Sequence, residues 1–313
     1  ALRHAFAIRM SLSDPAFQTN VTMDATNDLV HGPYMEKLRK ISHDNDTLPL
    51  SMYGGPKWAQ LNDSDDKGIG TDAHEGDRRR SLRQELSDRK LARRFGYLDD
   101  HGTSHLTVID NDRNAVSITS SINTIFGSGV FSESTGIFLN SQMDDFGTPG
   151  LPDYFGLRPS PANYIKPGKK PLSSMSPILV FRKDAGNATD SRMGKIVMGL
   201  GASGGPKIIS AVLQVFLNYA WAGMDLFASM ASPRLHDQLL YHESATTLYE
   251  KSTLDHGQPI EVSMRTRDAL KKRGHRVHSV DYTGCVQSVV VDLETNTLTA
   301  TSDIRKGGMP NGY

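Results

Sequence analysis

The sequence predicts an α+β protein, a layered sandwich of mainly antiparallel sheets with helices against them. Three observations carry this. Strand-like runs come in consecutive groups instead of alternating singly with helices: "SHLTVID" and "NAVSITSSI", then "TGIFLN", "SPILVFR" and "KIVMGLG". The first two are separated by Asn111-Asp112-Arg113, a common hairpin length. Between groups lies "PKIISAVLQVFLNYAWAGM", apolar around most of a helical circumference and read as a largely buried helix.

The elements follow in chain order. "ALRHAFAIRM" has no initiator Met and no signal-peptide pattern; it reads as the middle of a helix, so the chain is expected to begin inside a longer protein. A second helix, "GPYMEKLRKISHD", follows a Gly-Pro break, and "SMYGGPKWAQ" is turn-rich. Residues 63–96 carry the most charge and the least apolar content, as expected of a solvated insertion with some helix. A basic nucleic-acid patch fits less well, because acidic residues are interspersed and no aromatics interleave. After the buried helix, "DQLLYHES", "QSVVVDLETNTLTATSDI" and intervening helical pieces complete the chain.

Bulk properties narrow the function classes. The 313 residues can bury a sizeable core, and Lys+Arg and Asp+Glu are both 35, giving a net charge of +0. Nothing in that balance points to nucleic acid or an acidic membrane surface. No apolar run approaches the ~18–20 residues that a membrane span needs. A lone cysteine, Cys285, excludes an internal disulfide framework and a multi-cysteine metal site. Asn-x-Ser/Thr sequons begin at Asn20, Asn45, Asn62 and Asn187, which permits a secreted history.

The first hairpin raises a chemical question. With Asn111-Asp112-Arg113 as its loop, Val108 faces Val116 and Leu106 faces Ile118 on an apolar face. On the other face His105 meets Thr119, Thr107 meets Ser117, and Thr103 meets Ser121, with Asn123 just beyond. A row of hydroxyls on a sheet face is ordinarily solvated. What singles this one out is Gly102 directly before Thr103. Cleavage between them would give Thr103 a free α-amine, with an ordinary pKa near ~7.7–8, beside its own hydroxyl. That is the N-terminal-threonine form of nucleophilic catalysis. A glycine also tolerates the strained backbone that attack by Oγ on the preceding carbonyl demands.

Other clusters are weighed likewise. In "NSQMDDFGTPG", Gln142, Asp144 and Asp145 are turn formers or a grip for an ammonium group; their spacing lacks an EF-hand pattern. In "KKPLSSMSP", Ser173, Ser174 and Ser176 are a polar loop or rigid donors for a carboxylate. Gly199-x-Gly201-x-x-Gly204 matches the dinucleotide fingerprint, which makes an oxidoreductase a rival. No acidic residue closes a second parallel strand about twenty residues on, and Pro206 spoils a Walker pattern. Gly204 and Gly205 remain as backbone N–H donors at a helix N-terminus, a place suited to an oxyanion hole. His236 and Cys285 are read as structural.

Taken in order, "ALRHAFAIRM", "DP", "GTSHLTVID", "NAVSITSSIN", "TGIFLNSQMDDF", "PGKKPLSSMSP", "GASGG", "PRLHDQ" and "SDIRKGGMPNGY" resemble the γ-glutamyltransferase (γ-glutamyl transpeptidase, glutathione hydrolase) family of N-terminal-nucleophile hydrolases. The resemblance implies an αββα four-layer sandwich and makes this chain a C-terminal fragment. It implies autocatalytic cleavage before Thr103. Residues 1–102 would be the end of the large chain, with the charged insertion at 63–96, and 103–313 the small catalytic chain. By the same matching Thr103 is the nucleophile and Ser121, where the family usually has Thr, supports it. Asn123, Gln142 and Asp145 would hold the α-amino group of a γ-glutamyl moiety, and Ser173 and Ser174 its α-carboxylate. Gly204 and Gly205 would form the oxyanion hole. "FGTPGLPDYFGL" resembles the family's lid loop, with Tyr154 or Phe155 as its aromatic. The family's arginine for the substrate carboxylate has no equivalent placed by the matching.

The implied reaction takes the γ-glutamyl group of glutathione onto Thr103, releases cysteinylglycine, and passes the group to water, an amino acid or a dipeptide. Neither metal nor cofactor is called for, and the two processed chains would stay associated. The implied compartment is extracellular, membrane-anchored or vacuolar, with any anchor or signal upstream of Ala1. The alternative reading is a catalytically inactive homologue or incomplete fragment with an interaction role.

Overall fold

The computed structural model describes residues 1–67, 102–183, 194–254 and 257–312. The charged run from residue 68 onward and the Asn187 sequon lie outside the described residues.

The chain opens on helices α1 (Leu2–Arg9), α2 (Thr19–Val30), α3 (Gly32–Ile41) and the short α4 (Gly55–Trp58). Pro33 sits in the first turn of α3 and Pro56 in that of α4, where a missing N–H costs nothing. Ile8, Ala25, Leu38 and Trp58 bring the four together in a small core of their own. The other apolar residues of α1, Phe6 and Ala7, pack with Leu50, Leu61, Leu239 and Leu240, tying this region to the rest of the molecule.

Strands β1 (Thr103–Ile109) and β2 (Ala115–Ser121) form the expected hairpin in the expected register, with Thr103 opposite Ser121 and Val108 opposite Val116. Arg113 closes the loop in the left-handed region, at φ 68°. The run "TGIFLN" contributes only two strand residues: β3 (Phe131–Ser132) pairs with β4 (Ile137–Phe138). Then come β5 (Ile178–Phe181), β6 (Ile196–Ser203), helix α5 (Lys207–Ala220), helix α6 (Leu226–Ala231) and β7 (Leu235–His236). The chain continues through β8 (Thr246–Thr253), β9 (Pro259–Glu261), α7 (Met264–Lys272), β10 (Arg276–Val280), β11 (Cys285–Val291) and β12 (Leu298–Ser302).

The central sheet runs β12-β11-β6-β5 and is antiparallel throughout. A second sheet, β10-β8-β7 with β9 on β8, contains one parallel pair, β10 on β8. "DQLLYHES" is irregular: strand β8 begins at Thr246, after a stretch in which Leu239, His242 and Glu243 take positive φ.

Strand β6 is covered on both sides, so its two faces carry different side chains. Met198, Leu200 and Ala202 meet Ile208, Ala211, Val212 and Val215 of α5 in the main core. The opposite face carries Gly199 and Gly201, and the hairpin lies on it: a Cβ at Gly199 would meet the Thr107 methyl, and one at Gly201 the His105 ring. These glycines therefore serve close sheet-to-sheet approach. They lie inside a strand flanked by antiparallel neighbours, which removes the dinucleotide-binding reading of Gly199-x-Gly201-x-x-Gly204.

Helix α5 is less buried than its composition suggests. Leu213 and Leu217 are 39% and 41% exposed, because only one side faces the sheet. The hairpin inverts the usual expectation in the same way. Its hydroxyl face is turned inward and its apolar face outward, with Leu106, Val108, Val116 and Ile118 50–56% exposed. Among the described residues three of the four expected layers are present: α5 with α6, the central sheet, and the hairpin. The apolar outer face of the hairpin is where a second helical layer of an αββα sandwich belongs.

Gly201→Ala should lower stability by about 1–3 kcal/mol, the cost of overpacking a close sheet interface. Urea midpoints would measure it, and combining it with His105→Ala should cost less than the two changes summed, since the second removes the ring that the first one strikes.

Candidate active site

The site is assembled at the start of β1. Gly102 has φ 55°, and a Cβ there would drive into the carbonyl oxygen of Thr124. No L side chain fits, so the residue before Thr103 is glycine for a steric reason. Its carbonyl accepts the Ile122 N–H at 3.0 Å, which extends the hairpin one residue past β2. Thr103 is 4% exposed, and its Oγ lies 2.8 Å from Ser121 Oγ. Ser121 Oγ in turn accepts the Asn123 N–H at 2.9 Å. Asn123 adopts φ 75°, a conformation asparagine tolerates, and donates its side-chain amide to Ser141 O at 3.1 Å.

Beneath this pair the inward face remains polar. His105 is held between Thr119 Oγ at 2.8 Å and Thr107 Oγ at 2.9 Å, and burial pushes its pKa down to about 4. The imidazole is neutral in the physiological range, one nitrogen donating and the other accepting. Ser117 donates to Leu200 O at 3.1 Å, and Ser288 to Gly199 O at 2.9 Å. Each hydroxyl named here has a partner, which is what lets a polar layer be buried between two sheets.

In front of Thr103 opens a cleft of about 940 Å3, its mouth included. Thr103, Ser121, Asn123, Gln142, Asp145, Ser173, Ser174 and Gly205 all line it. Of the residues that the resemblance places in the site, Gly204 alone is not part of this lining; a Cβ there would come within 2.8 Å of Gly284 Cα. Gly205, at φ 59°, lies under the ring of Phe155. That separates the two candidate lid aromatics: Phe155 faces the cleft, and Tyr154 packs edge-on against it at 5.2 Å.

One wall is acidic. The 3-10 turn Gln142–Asp145 sets Gln142 Nε2 2.8 Å from Asp145 Oδ2, while Gln142 Oε1 is buried without a hydrogen-bond partner. Burial raises the Asp145 carboxyl to about 7, with Asp153 and Asp144 adding to the effect and Arg9 opposing it. Asp153 is likewise raised to about 7, chiefly by burial, although its Oδ1 accepts the Phe155 and Leu157 N–H groups at 2.9 Å each. Two crowded carboxylates and an orphaned amide oxygen are an arrangement that a positively charged amine would relieve.

Another part of the lining is hydroxylic. Ser173 Oγ accepts the Met175 N–H at 3.1 Å, and Ser174 Oγ receives Arg9 Nη2 at 2.8 Å. Upstream, buried Lys169 clamps the approach by donating to Ala162 O and Tyr164 O at 2.6 and 2.9 Å. Ser176 turns back to Ser174 O at 3.2 Å and takes no other part in the arrangement described here.

Two cleft residues escaped the sequence reading. Arg9 ends helix α1, which also carries Arg3 and His4, so nothing local singled it out. Asp153 was hidden inside a loop whose aromatics drew the attention. His236 and Cys285 are structural as expected: His236 is fully buried in β7 between Ser210 and Gln238, and Cys285 is fully buried in β11.

Because Asp153 titrates near 7 when folded against 3.8 as its ordinary value, its penalty grows from about pH 4 to 7 and is complete above that. Asp153→Asn, which keeps an oxygen for both N–H groups, should stabilise the protein by on the order of 1–3 kcal/mol more at pH 8 than at pH 5. Thermal melts at the two pH values would show it.

Comparison with known proteins agrees with this geometry. The family model described as Gamma-glutamyltranspeptidase matches residues 1–313. Glutathione hydrolase 2 of Arabidopsis thaliana is 36% identical over 323 residues, covering 100% of this chain and 46% of that protein. Glutathione hydrolase proenzyme 1 of Schizosaccharomyces pombe is 40% identical over 222 residues, covering 70% of this chain and 31% of that protein. A highly active mutant of gamma-glutamyltranspeptidase from Pseudomonas nitroreducens superposes with a TM-score of 0.57 at 33% identity, covering 67% of this chain and 98% of that one. The chain thus spans less than half the length of the curated relatives it matches here. A threonine held behind an obligatory glycine, a cleft with an acidic and a hydroxylic wall, and a match over every residue lead to one assignment: the chain belongs to the gamma-glutamyltranspeptidase family.

Proposed function

We propose that this chain is the nucleophile-bearing part of a γ-glutamyltransferase/glutathione hydrolase, cut between Gly102 and Thr103 by its own threonine. The observation that carries the reading is Thr103 Oγ at 2.8 Å from Ser121 Oγ, behind a glycine that nothing else can replace and at the edge of the cleft.

After cleavage the Thr103 α-amine takes the proton of Oγ as that oxygen bonds to the γ-carbonyl carbon of the substrate. Ser121 orients the hydroxyl. The N–H groups of Gly204 and Gly205, where β6 turns into α5, are suited to the negative charge that develops on the carbonyl oxygen. The γ C–N bond then breaks, and the proton held by the amine passes to the leaving amine, which for glutathione is cysteinylglycine. The γ-glutamyl ester is resolved by water, or by the amine of an amino acid or dipeptide, with the α-amine again taking the proton.

Recognition follows the two walls. Asn123, Gln142 Oε1 and Asp145 receive the α-ammonium, which offsets the crowding of Asp145 by Asp153. Ser173 and Ser174 receive the α-carboxylate, with Arg9 fixing the Ser174 hydroxyl and adding positive charge behind it. Residues 1–102, with the insertion at 63–96, would then remain bound to 103–313, a pairing that the shared core of Phe6 and Leu239 supports. Exposure of the sequon residues Asn20, Asn45 and Asn62 fits a protein that passes through a secretory compartment, whether it ends outside the cell, on a membrane or in a vacuole.

Intact mass and N-terminal sequencing of the longest natural form should reveal a new terminus, Thr-Ser-His-Leu, that Thr103→Ala abolishes. An uncut chain in both would favour the alternative, an inactive homologue with an interaction role. Ser121→Ala should lower kcat/KM about 10- to 100-fold, the worth of one hydrogen bond to a reacting hydroxyl. Affinity for glutamate should weaken as pH falls through about 7, because Asp145 must be ionised to hold an ammonium. Calorimetric titration at pH 6 and 8 would show this, and Asp145→Asn should flatten it.

A further inference from the structure

The turn after β12 is fastened by four buried charges. Arg234, Glu250, Asp303 and Arg305 are each 1–2% exposed. Asp303 accepts from Arg234 Nη2 at 2.6 Å, Arg305 Nη1 at 2.9 Å and the Val286 N–H at 2.9 Å. Arg305 grips both oxygens of Glu250 at 2.6 Å and donates to Met230 O and Ser232 O at the end of α6. Two cations meet two anions, so no charge is left uncompensated; the turn is locked to β8 through the Glu250 carboxylate, to β11 through the Val286 N–H and to α6 through the two carbonyls. The next residue is Lys306, whose Nζ donates to the Thr103 carbonyl oxygen at 2.9 Å. A strap from the far end of the chain thus delivers a cation to the residue singled out as nucleophile.

We propose that Lys306 is a positioning residue for that nucleophile: its ammonium fixes the Thr103 backbone and keeps the α-amine of a chain beginning at Thr103 in the neutral form that can accept a proton. The inference rests on the threonine-nucleophile reading above and adds to it what sets the state of the base. An α-amine is ordinarily half protonated near ~7.7–8 and cannot act as a base while it is protonated. The amine nitrogen and carbonyl oxygen of one residue lie ~3 Å apart, so an ammonium on that oxygen is within about 4–6 Å of the amine. A like charge at that range disfavours protonation by about one pH unit.

Among the described residues, the groups around the amine divide by element. On β1 itself His105 is neutral, and on β2 Ser121 and Asn123 do not titrate. On β11 the Cys285 thiol is pushed up to about 12 by burial and is also neutral. Asp303 and Arg305 cancel within the strap. Arg9, Asp145, Asp153 and Arg158 share the cleft; Arg158 is paired with Asp65 at 2.9 Å, and Asp145 and Asp153 are the groups that substrate ammonium would neutralise. Among the described residues Lys306 is a cation bonded directly to Thr103.

The test compares Lys306→Gln and Lys306→Arg with the unaltered protein, each as the longest natural form. First, the Thr103 terminus is verified; then kcat/KM for a γ-glutamyl anilide is followed from pH 5 to 10. In Lys306→Gln the acidic limb should move up by about one unit, giving roughly tenfold loss near pH 6 that is recovered above pH 9, and Lys306→Arg should restore it. Carbamoylation of the Thr103 amine by cyanate, followed by mass, should show the same shift without relying on turnover. A uniform loss at every pH, or coincident profiles, would overturn the proposal. So would cleavage that fails in Lys306→Gln and survives in Lys306→Arg, which would assign the cation to maturation instead. An unaltered protein that never exposes Thr103 would overturn the threonine-nucleophile reading itself, a result distinct from these.

Discussion

The structure depends on how the β1–β2 hairpin lies against β6. Two sheets normally meet through interdigitating apolar side chains about 10 Å apart. Here one partner offers Gly199 and Gly201, and the other fills the space with Thr107 and His105. The interface is short-range and polar, and it is stable because Thr119, Thr107, Ser117 and Ser288 all find acceptors or donors within it. Thr103 is the end member of that row. Its position is consequently set by the packing of a whole sheet, with no freedom of a loop in it.

The same arrangement explains why the hairpin exposes its apolar face. Once the polar face is committed to β6, period-two alternation sends Leu106, Val108, Val116 and Ile118 the other way. A two-stranded ribbon with such a face is marginal alone. The relatives are more than twice as long as the stretch they share with this chain, and a second helical layer of a four-layer sandwich would cover this face.

Around the threonine the electrostatics are sorted by distance. The hydroxyl meets Ser121, whose own oxygen accepts the Asn123 N–H. Carboxylates stand elsewhere in the cleft lining, raised chiefly by burial. Cations approach from behind: Arg9 through Ser174, and Lys306 through the Thr103 carbonyl.

Local chemistry was legible in the sequence. The hairpin register followed from alternation and a three-residue loop, and it placed Ser121 against Thr103 before any coordinates. Gly102 and the paired serines were likewise visible, because turn and strand constraints act over a few residues. Which face of the hairpin is buried was decided only by the tertiary structure, since alternation is symmetric and the choice rests on the glycines of β6, some ninety residues away. So were Arg9, Asp153 and Lys306: a lone charge has no periodicity, and its role appears only when the chain folds it against a partner as distant as 203 residues. The glycine pattern of β6 makes the same point. Its spacing suggested phosphate binding, and its neighbours showed that it serves close approach between sheets.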